Sequence, residues 1–170
     1  MSNKGFVIKL DIQNAFNSVP FETIIFGLFK QNVSYTLIKY ITYMTQARHN
    51  MFSGSLSSGV AQGDPLSSFI FAAAIDPALR ELQEKYEIIA YADDILISYS
   101  NHSKDEIIAD AKRILAKYGL TINNDKCKST ETEDSIRFNG INLTKPNQMT
   151  PELSIACETT KMLKDYLERV

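Results

Sequence analysis

Apolar residues in the first part of the chain recur at strand spacing and then at helix spacing. The mostly apolar, β-rich run from Gly5 to Ile12 predicts a buried central strand. Ser18 and Pro20 are typical of a helix start, and this helix is predicted to continue to Gln31. A second helix is predicted from Tyr35 to Arg48, because one of its faces would be apolar. That face would carry Leu37, Ile38, Ile41 and Met44.

The middle of the chain predicts a long helix followed by a β-hairpin. Helix signals run from Pro65 to about Tyr86, and Pro77 is expected to kink or break this helix because proline lacks a backbone donor. The segment from Glu87 to Tyr99 contains two short apolar runs of β type around a small acidic centre. That pattern is typical of a hairpin whose turn carries the acidic residues.

The rest of the chain adds a helix and further strand-like pieces. Ser103 and Glu106 have capping-box spacing, so a helix is predicted to begin there, and Gly119 is placed to end it. Strand-like pieces follow near residues 120–122 and 136–143. Taken in order, the main elements match the β-α-β-β-α-β plan of ferredoxin-like domains. We therefore predict the α+β class, with an antiparallel sheet, helices packed on one face, and the first strand beside the central hairpin.

Composition narrows the class of protein. The chain has 170 residues, of which 44% are hydrophobic and 22% charged, which is the balance of one globular domain with a core. The longest apolar run, Phe69 to Ile75, is far shorter than the roughly 18 residues of a membrane span, so no membrane association is expected. A secretory signal pattern and a CxxC pair are both missing. We expect an intracellular protein, cytoplasmic or nuclear.

The charge distribution leaves two interpretations open. The formal net charge is −2, whereas a free-standing nucleic-acid binder is usually basic. Acidic residues are concentrated in the middle of the chain. Such a cluster forms either a solvated face or a site whose carboxylates bind metal cations.

Three aspartates favour the metal site. Asp11 ends the first predicted strand, and Asp93 and Asp94 lie at the predicted hairpin turn. Ionised carboxylates brought together there would repel one another unless a cation joined them. An isolated Asp-Asp pair would more often be a polar hairpin tip. The apolar runs on both sides, and the third aspartate on a predicted neighbouring strand, favour a site instead.

Five segments of the sequence have a specific order and spacing. They are Leu10–Phe16, Gly59–Ser68, Tyr91–Asp94 (YADD), Gly119–Lys126 and Phe138–Gly140. Together they resemble the conserved boxes of the palm of reverse transcriptases, most closely those of the non-LTR retrotransposon group, with Tyr91–Asp94 as the YADD box. The resemblance extends from residue 10 to residue 143.

The resemblance implies a metal-dependent active site. Asp11, Asp93 and the backbone carbonyl of Ile12 would hold two Mg²⁺ ions, with Mn²⁺ able to substitute, and Asp94 would belong to the same set as a supporting carboxylate. Lys126 would stabilise the pyrophosphate leaving group, although a lysine after a turn is also a common surface residue.

The resemblance also implies a substrate-binding group. Phe16 would lie beneath the sugar of the incoming nucleotide and exclude a 2′-hydroxyl; the alternative is that Phe16 packs in the core. Gln62 and Gly63, just before the helix predicted from Pro65, would contact the nucleotide or template. The alternative for this segment is an ordinary loop in which Asp64 caps the helix.

The expected function is that of an RNA-directed DNA polymerase core acting on an RNA template, a DNA primer and dNTPs. Residues 1–150 would form the palm, and residues 151–170 the start of a thumb or a C-terminal helix. We expect a fragment whose fingers and thumb are supplied by other segments of a larger polyprotein. Two alternatives stay open: another palm-type phosphoryl-transfer enzyme, and a non-enzymatic scaffold derived from a palm.

Overall fold

The computed structural model describes residues 6–52, 58–60 and 63–144. The expected boundary at residue 150 and the C-terminal helix expected beyond it lie outside this range, as does Gln62. The helices are α1 (Ala15–Ser18), α2 (Phe21–Lys30), α3 (Tyr35–Phe52), α4 (Ser67–Gln83) and α5 (Lys104–Lys117). The strands are β1 (Phe6–Asp11), β2 (Glu87–Tyr91), β3 (Asp94–Tyr99), β4 (Lys128–Ser129), β5 (Ser135–Phe138) and β6 (Ile141–Thr144).

The sheet has the expected ferredoxin-like order. Four antiparallel strands run β2-β3-β1-β4, so the first strand lies beside the central hairpin, as predicted. The short strand β4 was not predicted. It follows a single 3₁₀ turn, Asn124–Lys126, and pairs with the middle of β1. The α+β class and the plan of the sheet are therefore confirmed.

The two faces of the sheet differ in chemistry. On β1, Ile8 and Leu10 are fully buried in the main hydrophobic core. Because side chains alternate along a strand, Lys9 and Asp11 lie on the opposite face, where Asp94 of β3 is the direct partner of Asp11. We call this second side the polar face. It carries the residues from which the candidate site is built.

Helix α4 differs from the prediction at its proline. Pro77 lies inside α4, and the helix continues unbroken to Gln83. Proline cannot donate a backbone hydrogen bond to the carbonyl four residues earlier, which here is that of Ala73. Gly27 of α2 packs directly against that carbonyl, because a Cβ added to Gly27 would lie 2.1 Å from the Ala73 oxygen. The helix is therefore not broken at Pro77, so the break is wrong while the kink stays a prediction, and α2 packs closely against α4 beside the Ala73 carbonyl.

The other helices follow the predicted signals with one exception. The Ser103 hydroxyl accepts a hydrogen bond from the Glu106 amide at the start of α5, and Gly119, with φ of 71°, ends that helix. On α3, Ile38 and Ile41 are buried as predicted, but Leu37 is 47% exposed and is wrongly placed on the buried face.

The strand-like piece predicted at residues 136–143 is a separate hairpin. Strands β5 and β6 pair with each other around a turn at Asn139 and Gly140, which both have positive φ. The piece at residues 120–122 contributes only an isolated bridge from Ile122 to Ile12. Within the part of the chain that the structure describes, no helix is long and apolar enough to cross a membrane.

Candidate functional site

Two of the predicted aspartates face each other across neighbouring strands. Asp11 ends β1, Asp94 begins β3, and the two residues are partners in the antiparallel register. Directly opposed residues in such a pair have Cβ atoms roughly 5 Å apart and project from the same face. The register therefore brings two carboxylates, separated by more than eighty residues of sequence, to one edge of the polar face.

The third aspartate lies in the tight turn of the β2–β3 hairpin. Tyr91 pairs with Asp94, which leaves Ala92 and Asp93 as the two turn residues. Ala92 has φ of 52°, a left-handed conformation that costs a residue with a Cβ on the order of 1 kcal/mol. The turn thus holds a strained backbone next to Asp93, and strain of this kind is often found at functional sites.

Lysine side chains neutralise the two facing carboxylates. Lys9 Nζ lies 2.8 Å from an oxygen of Asp94, and Lys126 Nζ lies 3.7 Å from an oxygen of Asp11. The side chains of Lys9 and Asp94 are only 19% and 28% exposed, whereas that of Lys126 is 67% exposed. The repulsion expected between the aspartates is therefore offset by the protein's own cations.

The donor chemistry fits a hard divalent cation. Carboxylate and carbonyl oxygens are the ligands that Mg²⁺ prefers, and Asp11 pairs with Asp94 while Asp93 lies in the adjoining turn. Among the described residues, however, no group of three or more acidic, His or Cys residues is arranged to hold a metal ion. The predicted metal ligands stay a prediction.

The Ile12 carbonyl, a predicted metal ligand, lies beside two backbone hydrogen bonds at the end of β1. Ile12 forms a bridge with Ile122, and its side chain is buried in the core. The hydrogen bonds beside that bridge run from Gln13 N to the Thr121 oxygen and from Asn123 N to the Asp11 oxygen. The Ile12 carbonyl takes part in neither of these bonds.

Phe16 has one face on the core and another on a groove. Its ring stacks on Phe71 of α4, with centroids 4.6 Å apart and planes inclined by 19°. Phe16 is half-buried, while Phe71 is fully buried. Phe16 also lines a groove of about 410 Å³ together with Gly63, Asp64, Pro65, Ser67 and Ser68. Core packing and a role at a surface site are therefore compatible for this residue.

The loop before α4 combines an open glycine position with a local side-chain hydrogen bond. Gly63 has φ of 86°, and a Cβ added there would meet no atom of the described residues within 4 Å. The Asp64 carboxylate accepts a hydrogen bond from the Leu66 amide at 2.7 Å, inside the loop. Helix α4 begins at Ser67 rather than at Pro65, its N-cap is Leu66, and that cap has no side-chain hydrogen bond, so the expected cap at Asp64 is wrong.

The segment that carries Lys126 folds against the end of β1. The Asn123 amide donates to the Asp11 carbonyl at 2.9 Å, and the Asn123 side chain accepts from the amide of Asp125. Cys127 donates its thiol to the Asn123 carbonyl at 3.2 Å, and burial raises the pKa of this thiol. These contacts explain why Lys126, although exposed, is held within reach of Asp11.

A larger groove lies elsewhere on the protein. It has a volume of about 830 Å³ and includes Lys30 of α2, Arg80 of α4 and Lys117 of α5. None of the predicted site residues lines it. Size alone is therefore a poor guide to the chemistry, and the polar face with its aspartates is the better candidate.

The family model described as reverse transcriptase (RNA-dependent DNA polymerase) matches residues 1–143. This chain belongs to the reverse transcriptase family. The matched range contains β1, the β2–β3 hairpin and the 3₁₀ turn, so each aspartate and Lys126 lies inside it.

The reverse transcriptase chain also resembles individual curated proteins. It is 31% identical over 145 residues to the retrovirus-related Pol polyprotein from type-1 retrotransposable element R2 of Bradysia coprophila, and 29% identical over 147 residues to that of Popillia japonica. These alignments cover 75% and 72% of this chain but only 17% and 20% of the relatives. The chain thus spans about a fifth of the length of the polyproteins that it matches.

Solved structures support the fold independently of sequence. An apo telomerase from Candida tropicalis, truncated from its C-terminal domain, superimposes with a TM-score of 0.59 at 18% identity, over 83% of this chain and 34% of that one. A telomerase from Candida albicans in complex with a fragment of telomeric RNA gives a TM-score of 0.54 at 19% identity, over 84% of this chain and 30% of that one. At such low identity the likeness shows a shared fold alone.

Two residues of the site escaped the sequence reasoning. Lys9 precedes Asp11 by two positions in a predicted strand, so alternation already placed both side chains on one face. Phe71 is hidden inside the apolar run of α4, where its contact with Phe16 depends on tertiary packing. The first could have been found from spacing, and the second could not.

Proposed function

We propose that this chain is the catalytic core of an RNA-directed DNA polymerase, which transfers a nucleotidyl group from a dNTP to the 3′-hydroxyl of a primer. The observation that carries the proposal is the direct pairing of Asp11 with Asp94, with Asp93 in the adjoining turn. Membership of the reverse transcriptase family supplies the reaction class.

The same residues are the proposed ligands of two divalent cations. Asp11, Asp93 and the carbonyl of Ile12 would hold the ions, and Asp94 would support the set. When bound, the ions would lower the pKa of the attacking hydroxyl and neutralise charge on the departing pyrophosphate. Lys126 supplies an exposed positive charge beside Asp11, which suits an interaction with the leaving group.

The groove beside Phe16 is the proposed seat of the incoming nucleotide's sugar. The Phe16 ring is held flat on Phe71, so it presents a fixed surface rather than a mobile side chain. Gly63 opens the opposite wall, and we propose that Gln62 contacts the nucleotide or template from the same loop. A rigid ring at this position would exclude a 2′-hydroxyl by volume.

We propose that the polymerase works within a larger polyprotein. The R2 relatives are several times longer than the segment they share with this chain. Fingers and thumb segments of such a polyprotein would hold much of the RNA template and DNA primer. The net charge of −2 supports this division, because these 170 residues carry no net positive charge to attract a nucleic-acid backbone.

The first test measures metal binding and primer extension on the same variants. A ligand that binds only the native state raises its stability, so millimolar Mg²⁺ or Mn²⁺ should raise the melting temperature of the 170-residue chain. Asp93→Asn should lose that rise, whereas Glu84→Gln, an exposed change of the same kind at the end of α4, should keep it.

Primer extension on an RNA template should be lost in a longer polymerase containing Asp11→Asn or Asp93→Asn. It should persist in one containing Glu84→Gln. A wild-type chain that shows no metal-dependent rise, or the same rise in Asp93→Asn, would contradict the proposed site. Metal binding without primer extension in the longer protein would favour the scaffold alternative.

A further inference from the structure

Lys9 is the least exposed of the lysines on the polar face that are described in an ion pair. It lies diagonally across the β1–β3 ladder from Asp94, since the direct partner of Lys9 is Leu96. Its Nζ is 2.8 Å from Asp94 Oδ2 and donates a second, longer hydrogen bond of 3.4 Å to the Arg137 carbonyl of β5. The ammonium therefore lies between the catalytic strand edge and the β5–β6 hairpin.

Burial of this kind is unusual for lysine. Lysine ammonium groups are strongly hydrated and are seldom withdrawn from water unless they are paired. The Lys9 side chain is 19% exposed and its partner Asp94 is 28% exposed. Lys126 differs, because it is 67% exposed and 3.7 Å from its carboxylate. Lys9 is thus the better fixed of the two charges.

We propose that Lys9 is a positioning residue whose ammonium acts as a built-in counter-cation for Asp94 and competes with divalent metal for that carboxylate. The proposal rests on the proposed metal site at Asp11 and Asp93. By holding Asp94 against β1, Lys9 limits how strongly the three aspartates attract a metal ion. It also fixes the direction in which the Asp94 carboxylate points.

The proposal has a consequence that a purely structural lysine would not have. Removing the Lys9 charge frees Asp94 and removes a repulsive charge near the metal. A single charge a few ångströms from a divalent ion in a water-like medium changes its affinity on the order of tenfold. Loss of Lys9 should therefore tighten metal binding, whereas loss of a residue that only supports the fold would weaken it.

The test measures Mn²⁺ affinity of the 170-residue chain by the electron paramagnetic resonance signal of free Mn²⁺. Lys9→Met keeps the apolar stem without the charge, and Lys9→Arg keeps the charge. Lys128→Met is the matched control. Lys128 is the β4 partner of Lys9 in the register, but it is 53% exposed and pairs with Glu133 instead of a site aspartate.

We expect Lys9→Met to bind Mn²⁺ on the order of tenfold more tightly than wild type, while Lys9→Arg and Lys128→Met stay within about threefold of it. Unchanged or weaker binding by Lys9→Met overturns the proposal. An equal gain in Mn²⁺ affinity in Lys128→Met also overturns it, because the gain would then follow from removing any positive charge on this face of the sheet. Absence of Mn²⁺ binding by wild type overturns the proposed metal site together with this inference.

A second measurement needs no destabilising variant. The side-chain NMR signal of Lys9 in the wild-type chain can be assigned by comparison with Lys9→Arg. This signal should shift during a Mg²⁺ titration, because the metal competes with Lys9 for the Asp94 carboxylate. The Lys128 signal should stay in place. A Lys9 signal that does not move while the protein binds Mg²⁺ overturns the proposal for Lys9 alone.

Discussion

The stacked pair of Phe16 and Phe71 gives the sharpest prediction about substrate choice. Phe16→Ala removes the ring that lines the groove, and Phe71→Leu keeps that ring but removes the aromatic surface on which it rests. If the groove takes the sugar of the nucleotide, both changes should admit ribonucleotides more readily. Phe16→Ala should act more strongly because it opens the space itself.

The expected magnitudes follow from burial and contact. Changing a fully buried phenylalanine to alanine lowers the free energy of unfolding by about 3–5 kcal/mol. Because Phe16 is only half-buried, Phe16→Ala should lower it by about 2–3 kcal/mol. Phe71→Leu should lose about 1–2 kcal/mol, including the stacking. Steric discrimination is commonly worth about 1–3 kcal/mol. The ratio of kcat/KM for a dNTP to that for the matching ribonucleotide should therefore fall on the order of tenfold or more in Phe16→Ala, and about threefold in Phe71→Leu.

The assay is primer extension by a longer polymerase that contains this chain, with kcat/KM measured for a dNTP and for the matching ribonucleotide. Phe16→Tyr, which keeps the ring, should leave the ratio nearly unchanged. Ile107→Val is the stability control, because Ile107 is fully buried on α5 rather than in the groove. An unchanged ratio in Phe16→Ala, accompanied by a large loss of stability, would refute the proposed role and leave Phe16 as a core residue.

Two further predictions concern stability. Gly27→Ala should lose about 2 kcal/mol or more in urea unfolding, despite the better helix propensity of alanine, because its Cβ would overlap the Ala73 carbonyl; normal stability would contradict the described contact. Hydrogen bonds from Lys85 and then Tyr86 lower the pKa of Asp110 from 3.8 to about 2. This depressed pKa stabilises the fold above about pH 4 and the benefit is lost as pH falls toward 2, so wild-type melting temperature should decline more steeply than that of Asp110→Asn over that window. Parallel declines would show that solvent screens the network.

Sequence periodicity was sufficient for the parts of the fold that bury one face. The mostly apolar run of β1 and the two apolar runs of the hairpin predicted these three strands, and the register then brought Asp11 to Asp94. Pattern failed where a local signal was overridden by packing. Leu37 has helical spacing but stays exposed, and the piece at 136–143 is two strands because Asn139 and Gly140 adopt left-handed conformations.

The candidate site likewise contains residues that the sequence predicts and contacts that it does not. The aspartates were predictable because three carboxylates near strand ends have few structural reasons to be there. The lysine contacts were not predictable, since the pairing of Lys9 with Asp94 depends on register and that of Lys126 with Asp11 on the turn at Asn123. Sequence thus located the aspartates and, through the family resemblance, Lys126, whereas the structure showed which carboxylate each lysine contacts.

The unbroken helix α4 connects the core to the proposed nucleotide groove. Pro77 leaves the Ala73 carbonyl without its helical donor, and Gly27 of α2, which lacks a side chain, lets its backbone approach that oxygen. This close approach fixes how α4 lies on α2. Phe71 precedes Ala73 by two residues in α4, so the packing of α4 on α2 also helps to place the ring beneath Phe16. A proline and a glycine that weaken their own helices therefore help to place the surface on which sugar selection would depend.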